Sequence, residues 1–174
     1  MTQLENLNQY FTENRERHLD EMTAFLAIPS VSSLSEHKDD MYKAANHLSE
    51  LLVAAGMENA TIHDTAGHPV VTADWLHAEG APTVLVYGHY DVQPVDPVEL
   101  WDSMPFEPEI RDNIMYARGS SDDKGQVFMH VKVLEAMLAS DEKLPVNVKV
   151  IFEGEEEIGS VHLDQFIADH KDYL

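Results

Sequence analysis

The chain has 174 residues, enough for one domain with a buried core and too few for two ordinary ones. Asp and Glu number 32 against 11 Lys and Arg, a net charge of −21, which sets nucleic-acid backbones and anionic membranes aside as partners and favours cations. The absence of cysteine excludes a disulfide framework, a thiolate zinc site and a cysteine nucleophile together. The first six residues lack the basic and apolar stretches of a signal peptide, and no apolar run reaches the roughly 18 residues of a membrane span. The expected compartment is the cytoplasm.

In chain order, Leu4, Leu7, Phe11, Leu19, Met22 and Leu26 recur at helical spacing and predict one amphipathic helix over residues 4–26. Pro29 ends it, and Ser30, Ser32 and Ser33 form a polar connection. A second helix is expected over residues 40–57, with Ala44, Leu48, Leu51, Leu52 and Ala55 on one side. The period then shortens: residues 61–63, 70–76 and 83–87 are β-branched runs between turn residues and read as strands. Residues 91–108 carry four prolines and read as a long irregular loop, a kind that tends to be functional. A short strand over residues 114–117, a helix over 124–139, a central strand over 146–152 and a last helix over 161–169 complete the order. Met115, Met129 and Met137 are expected in the core. The alternation predicts a single α/β domain over residues 1–174, a layered mixed or mostly parallel sheet flanked by helices.

Three polar clusters follow the strands or precede the crossover helix. They are Gly88-His89-Tyr90-Asp91, Gly119-Ser120-Ser121-Asp122-Asp123-Lys124-Gly125 and Glu153-Gly154-Glu155-Glu156-Glu157-Ile158-Gly159-Ser160. Ligands in open α/β sheets bind beyond the carboxyl ends of strands, so all three fall at one sheet edge. Taken singly, each has a plain reading: a hydrogen-bonded surface histidine, an aspartate capping a helix, a solvated run of glutamates. Taken together, Asp91, Asp122, Asp123, Glu155, Glu156 and Glu157 would repel one another without a counter-charge, and a divalent cation supplies one. Imidazole with carboxylates suits zinc, manganese or cobalt better than calcium. In extended chain, His89 and Asp91 share a face, so Asp91 could orient the imidazole or bind metal itself. Of the adjacent Glu156 and Glu157, one can bind metal while the other handles a proton.

The strings from Tyr87 to Pro94, Leu100-Trp101, Pro105-Phe106-Glu107-Pro108, Arg118 to Gly125 and Glu153 to Ser160 resemble the co-catalytic dizinc exopeptidases. That superfamily includes carnosinase-like dipeptidases, aminoacylases and succinyl-diaminopimelate desuccinylases, and the Pro105-Phe106-Glu107-Pro108 and Ser120-Ser121-Asp122-Asp123-Lys124-Gly125 strings are closest to the dipeptidase branch. The resemblance covers nearly the whole chain. It implies a hydrolase that cleaves the amide bond of a dipeptide or an N-acyl amino acid through a hydroxide bridging two zinc ions. His89 is then a ligand of one metal, Asp122 the carboxylate bridging both, Glu157 a ligand of the second, Glu156 the general base and Asp91 the residue that orients His89. The resemblance also implies a cis Asp122–Asp123 bond. The alternative kept beside it is a non-catalytic metal-binding or interaction protein that retains the fold.

Family members run to two or three times this length, adding a carboxylate ligand for the first metal, a final histidine for the second, and a lid and dimerisation domain. None of these positions falls within the chain, and His162 and His170 read as helix residues. The expectation is therefore the N-terminal portion of a catalytic domain without its lid, weak or inactive alone, with self-association through exposed sheet edge. The seven histidines from His18 to His77 and His130 need no function, and Trp101 with Pro105 and Phe106 could wall a substrate site or only pack the loop.

Overall fold

The computed structural model describes residues 2–141 and 143–174. Helix α1 (Gln3–Glu13) opens on a capping box, with Thr2 and Glu5 each bonding the other's backbone amide. The single helix expected over residues 4–26 is instead two, because Asn14 closes α1 by donating both its amide and its side-chain Nδ2 to the Tyr10 carbonyl. Helix α2 (Arg15–Leu26) then starts anew. Helix α3 (Lys38–Ala54) follows a short 3₁₀ turn and buries Met41, Ala44, Ala45, Leu48, Leu51 and Leu52 at spacings of three and four.

Strand β1 (Glu58–His63) begins three residues before its expected start, through an irregularity at Asn59, whose φ is +52°. Strands β2 (Val70–Trp75) and β3 (Thr83–His89) lie where the β-branched runs predict them. The irregular stretch ends in a hairpin, β4 (Glu109–Arg111) and β5 (Ile114–Tyr116), of which sequence reading predicts only the second strand. Asp112 and Asn113 both have positive φ, 51° and 64°, which is what a two-residue hairpin turn requires. Helix α4 (Lys124–Asp141), strand β6 (Asn147–Glu153) and helix α5 (Leu163–His170) follow.

The main sheet has the order β1-β2-β6-β3 and is mixed: β1 and β6 pair antiparallel with β2, while β3 pairs parallel with β6. Alternation along the strands divides two cores. Val71, Ala73, Trp75, Val148, Val150 and Phe152 join Phe25, Leu48, Leu52, Val127 and Val131 under α2, α3 and α4. On the other face Val70 and Ile151 meet Phe166 of α5. Met115 and Met137 are half-buried, but Met129 is 59% exposed on the outer side of α4, so it is not a core residue. Strand β3 is an edge, with Val84, Leu85 and Tyr87 each nearly half exposed. A buried ion cluster ties the helices: Glu135 accepts from the Tyr10 hydroxyl at 2.7 Å, from Lys132 Nζ at 2.5 Å and from Arg17. Lys132 also pairs with Glu21 at 2.6 Å.

Candidate metal centre

Because β3 and β6 are parallel, their carboxyl ends lie side by side, with His89 opposite Glu153. The N-terminus of α4 reaches the same edge, where Asp123 Oδ2 accepts the His89 amide at 3.1 Å. All three motif strings thus meet at one end of the sheet, as their order after the strands predicts. The Asp122–Asp123 peptide bond is cis, as the resemblance implies.

His89 is buried, and its two ring nitrogens face oxygen. Nε2 lies 3.1 Å from Asp122 Oδ1 and 3.8 Å from Glu156 Oε2, while Nδ1 lies 3.2 Å from the Asp91 carbonyl and 3.3 Å from Asp91 Oδ1. Burial opposes a charged imidazole, but Asp91, with Asp123 and Glu156 nearby, outweighs it and pushes the pKa up to about 9. Asp122 and Glu156 present their carboxylates outward, 77% and 45% exposed.

Of the six carboxylates whose crowding calls for a counter-charge, three accept backbone amides of the protein itself. Asp91 is wholly buried and accepts the amides of Glu156 at 3.2 Å and Glu157 at 3.0 Å. Asp123 takes the His89 amide. Glu155 turns away beneath the turn, accepting His162 Nδ1 at 2.9 Å and the amides of His68 and His162. That leaves Asp122 and Glu156 beside His89, with Glu157 next along the turn. Glu157 is held by Gln93 Nε2, which donates to its carboxylate at 2.7 Å and its carbonyl at 3.2 Å.

Glu153 and Lys124 lie within the motif strings, but sequence reading gives neither a role. Glu153 is buried at the end of β6, accepting the Tyr87 hydroxyl at 2.6 Å and Ser160 Oγ at 2.8 Å; burial raises its pKa, with these two bonds pulling the other way. Lys124 is wholly buried and donates to the carbonyls of Phe25 at 3.1 Å and Ile28 at 2.6 Å, at the C-terminal end of α2. Burial pulls its pKa down to about 7. The available signal was weak: an apolar helix face continuing into a lysine directly after two aspartates. Trp101 packs in the loop, donating Nε1 to the Val95 carbonyl, and with Tyr116 and Ser120 lines a pocket of about 490 Å³.

Among the described residues, no three His, Asp or Glu side chains gather closely enough to hold an ion as they stand. The donor chemistry nevertheless fits a divalent cation: an imidazole oriented from Nδ1 by a buried carboxylate offers Nε2 beside an exposed aspartate. The arrangement supplies one such pair, with two further carboxylates on the adjoining turn.

Residues 85–173, just over half of the chain and spanning all three clusters, match the model of Peptidase family M20/M25/M40. The chain belongs to this family. Among M20/M25/M40 relatives, the Cys-Gly metallodipeptidase DUG1 of Candida albicans is 34% identical over 95% of this chain and 37% of its own length. The solved structure of the di-peptidase Dug1p from Saccharomyces cerevisiae superposes with a TM-score of 0.87 at 32% identity, over 98% of this chain and 38% of that one. Human carnosine dipeptidase 1 gives 0.87 at 28% identity, over 99% and 39%. The chain thus spans little more than a third of the relatives it matches, and its mixed sheet flanked by helices is theirs.

Proposed function

We propose that this chain carries half of the metal centre of a dipeptidase-like hydrolase, cleaving the amide bond of a dipeptide or N-acyl amino acid. The observation that supports it most is the His89–Asp122 pair, with Asp91 behind the imidazole and Glu156 beside it. His89 and Asp122 would hold one divalent metal, and Asp122 with Glu157 a second, zinc being the first choice and manganese or cobalt compatible with the same donors. When bound, the metals supply Lewis-acid polarisation of the scissile carbonyl and acidify the attacking water. Glu156, exposed at the rim, takes the proton from that water and returns it to the leaving amine. Asp91 keeps the imidazole in place and fixes the two amides that aim Glu156 and Glu157. Relatives named for Cys-Gly and carnosine dipeptides point to a small dipeptide substrate.

With only one pair pre-arranged, the 174 residues are expected to bind zinc weakly and to turn over dipeptides slowly or not at all, since positioning supplies much of catalysis. The open β3 edge, uncharged from Thr83 to Tyr87, is the surface assigned to self-association. A clean monomer at every concentration in light scattering would count against that assignment. Calorimetric titration of the metal-stripped chain with zinc tests the centre itself. Saturable binding that Asp122→Asn abolishes supports the reading; no binding in either chain, or equal binding in both, refutes it.

A further inference from the structure

The segment over residues 28–32 runs beneath the candidate centre and touches both motif-bearing halves. On one side the Ile28 carbonyl accepts the ammonium of Lys124, two residues after Asp122. On the other, Ser30 Oγ donates to the Tyr90 carbonyl at 2.7 Å, the Val92 amide donates to the Ser30 carbonyl at 2.9 Å, and Val31 bridges Val92. Ser32 ends the segment, almost wholly buried, and donates its hydroxyl to Asp91 Oδ2 at 2.6 Å. Its carbonyl lies 2.9 Å from His68 Nε2, and the His68 amide in turn donates to Glu155.

We infer that Ser32 is a positioning residue of the candidate centre, acting through Asp91 to set the placement of His89 and of the turn that bears Glu156 and Glu157. The chemical argument is one of saturation. Asp91 is buried and its two oxygens face four partners: Ser32 Oγ, the Glu156 and Glu157 amides, and His89 Nδ1. The serine contact is the shortest of the four and comes from outside the motif strings, so it pins the carboxylate against rotation about its own bond. A freely turning carboxylate could keep one amide but not both, and the imidazole would lose its fixed partner. The segment lies before the residues that the family model matches, which is why the motifs alone do not point to it.

This inference rests on the proposed centre, and two measurements on Ser32→Ala keep their failures apart. The first needs no metal: hydrogen exchange of single amides by NMR. Ser32→Ala is expected to speed exchange at Glu156 and Glu157 by roughly tenfold while Val150 and Ile151 in β6 stay as in the parent chain, and Ser32→Thr restores protection. The second is zinc affinity by calorimetry, expected to fall by about fivefold in Ser32→Ala, less than the roughly 10–100-fold typical of a partner that touches the ligand itself. Unchanged exchange at both glutamate amides overturns the inference, as does acceleration spread equally through β6, which would make Ser32 merely structural. Zinc binding equal to the parent's also overturns it. A parent chain that binds no zinc refutes the proposed centre instead, and exchange alone then decides the role of Ser32.

Discussion

The Asp91 carboxylate stands 3.3 Å from His89 Nδ1 while accepting the backbone amides of Glu156 and Glu157. One buried side chain thereby joins the end of β3 to the turn after β6. Asp91→Asn keeps the shape, but its NH₂ must face a donor. We expect a loss of about 2–4 kcal/mol in urea denaturation. An unchanged midpoint would show that the junction is held by other contacts.

In the proposed centre the neighbours Glu156 and Glu157 have different tasks. Glu156→Gln is expected to leave zinc affinity within about threefold of the parent and to lower whatever dipeptide turnover the parent has by roughly 10²-fold or more. Glu157→Gln is expected to weaken zinc binding instead, and both variants should unfold within about 0.5 kcal/mol of the parent, since neither carboxylate is buried. Paired calorimetry and product analysis by mass spectrometry check the division. Reversed effects would exchange the two roles.

Gly125 inverts the usual helix rule. Replacing glycine by alanine inside a helix ordinarily stabilises by up to about 1 kcal/mol. Here an added Cβ would stand 2.0 Å from the Ser120 carbonyl oxygen, a backbone atom that cannot swing aside. Gly125→Ala is therefore expected to destabilise by about 1–3 kcal/mol and to disturb the Asp122–Asp123 turn. A raised melting temperature would contradict this.

The buried helix cluster makes part of the stability depend on pH. Burial opposes ionisation of Glu135, but bonds from Arg17, Lys132 and Tyr10 win and lower its pKa to about 2 from an ordinary 4.5. A carboxylate depressed in the folded state contributes stability that is fully present above its unfolded pKa and is lost as pH falls through the folded value. The deficit of Glu135→Gln relative to the parent should be about 2–3 kcal/mol at pH 6, and should shrink between pH 4.5 and 2. Denaturant curves across that range measure it. A deficit independent of pH would assign the loss to packing alone.

Much of the element order is written locally. Short β-branched runs predict β2 and β3, alternation predicts β6, and the helical spacing of Val127, Val131 and Leu134 predicts α4, because such patterns depend only on near neighbours in the chain. The break at Asn14 was not legible, since apolar residues recur at helical spacing on both sides of it and the Asn14 side chain that bonds back to Tyr10 leaves no mark on that spacing. Strand β4 is three residues long with Ile110 as its one apolar residue between Glu109 and Arg111, so it carries no apolar run like that of Ile114-Met115-Tyr116 in β5. Met129 fits an apolar helix pattern but falls on the outward side, a matter of which neighbours α4 meets.

What the sequence determined by itself was the set of chemical groups and their delivery to one sheet edge: His89 and Asp91 at a strand end, Asp122 before a helix, three glutamates after the last strand. Only the tertiary structure sorted them. Glu155, Glu156 and Glu157 are chemically identical and adjacent, yet the first is buried against His162 while the others face outward, because the 3₁₀ turn Glu156–Ile158 begins between them. Asp91 meets amides 65 and 66 residues away, and Ser32 meets Asp91 across 59. A hydrogen bond over such separations leaves no periodic trace in the chain, since its partners are brought together by sheet pairing and helix packing rather than by their neighbours.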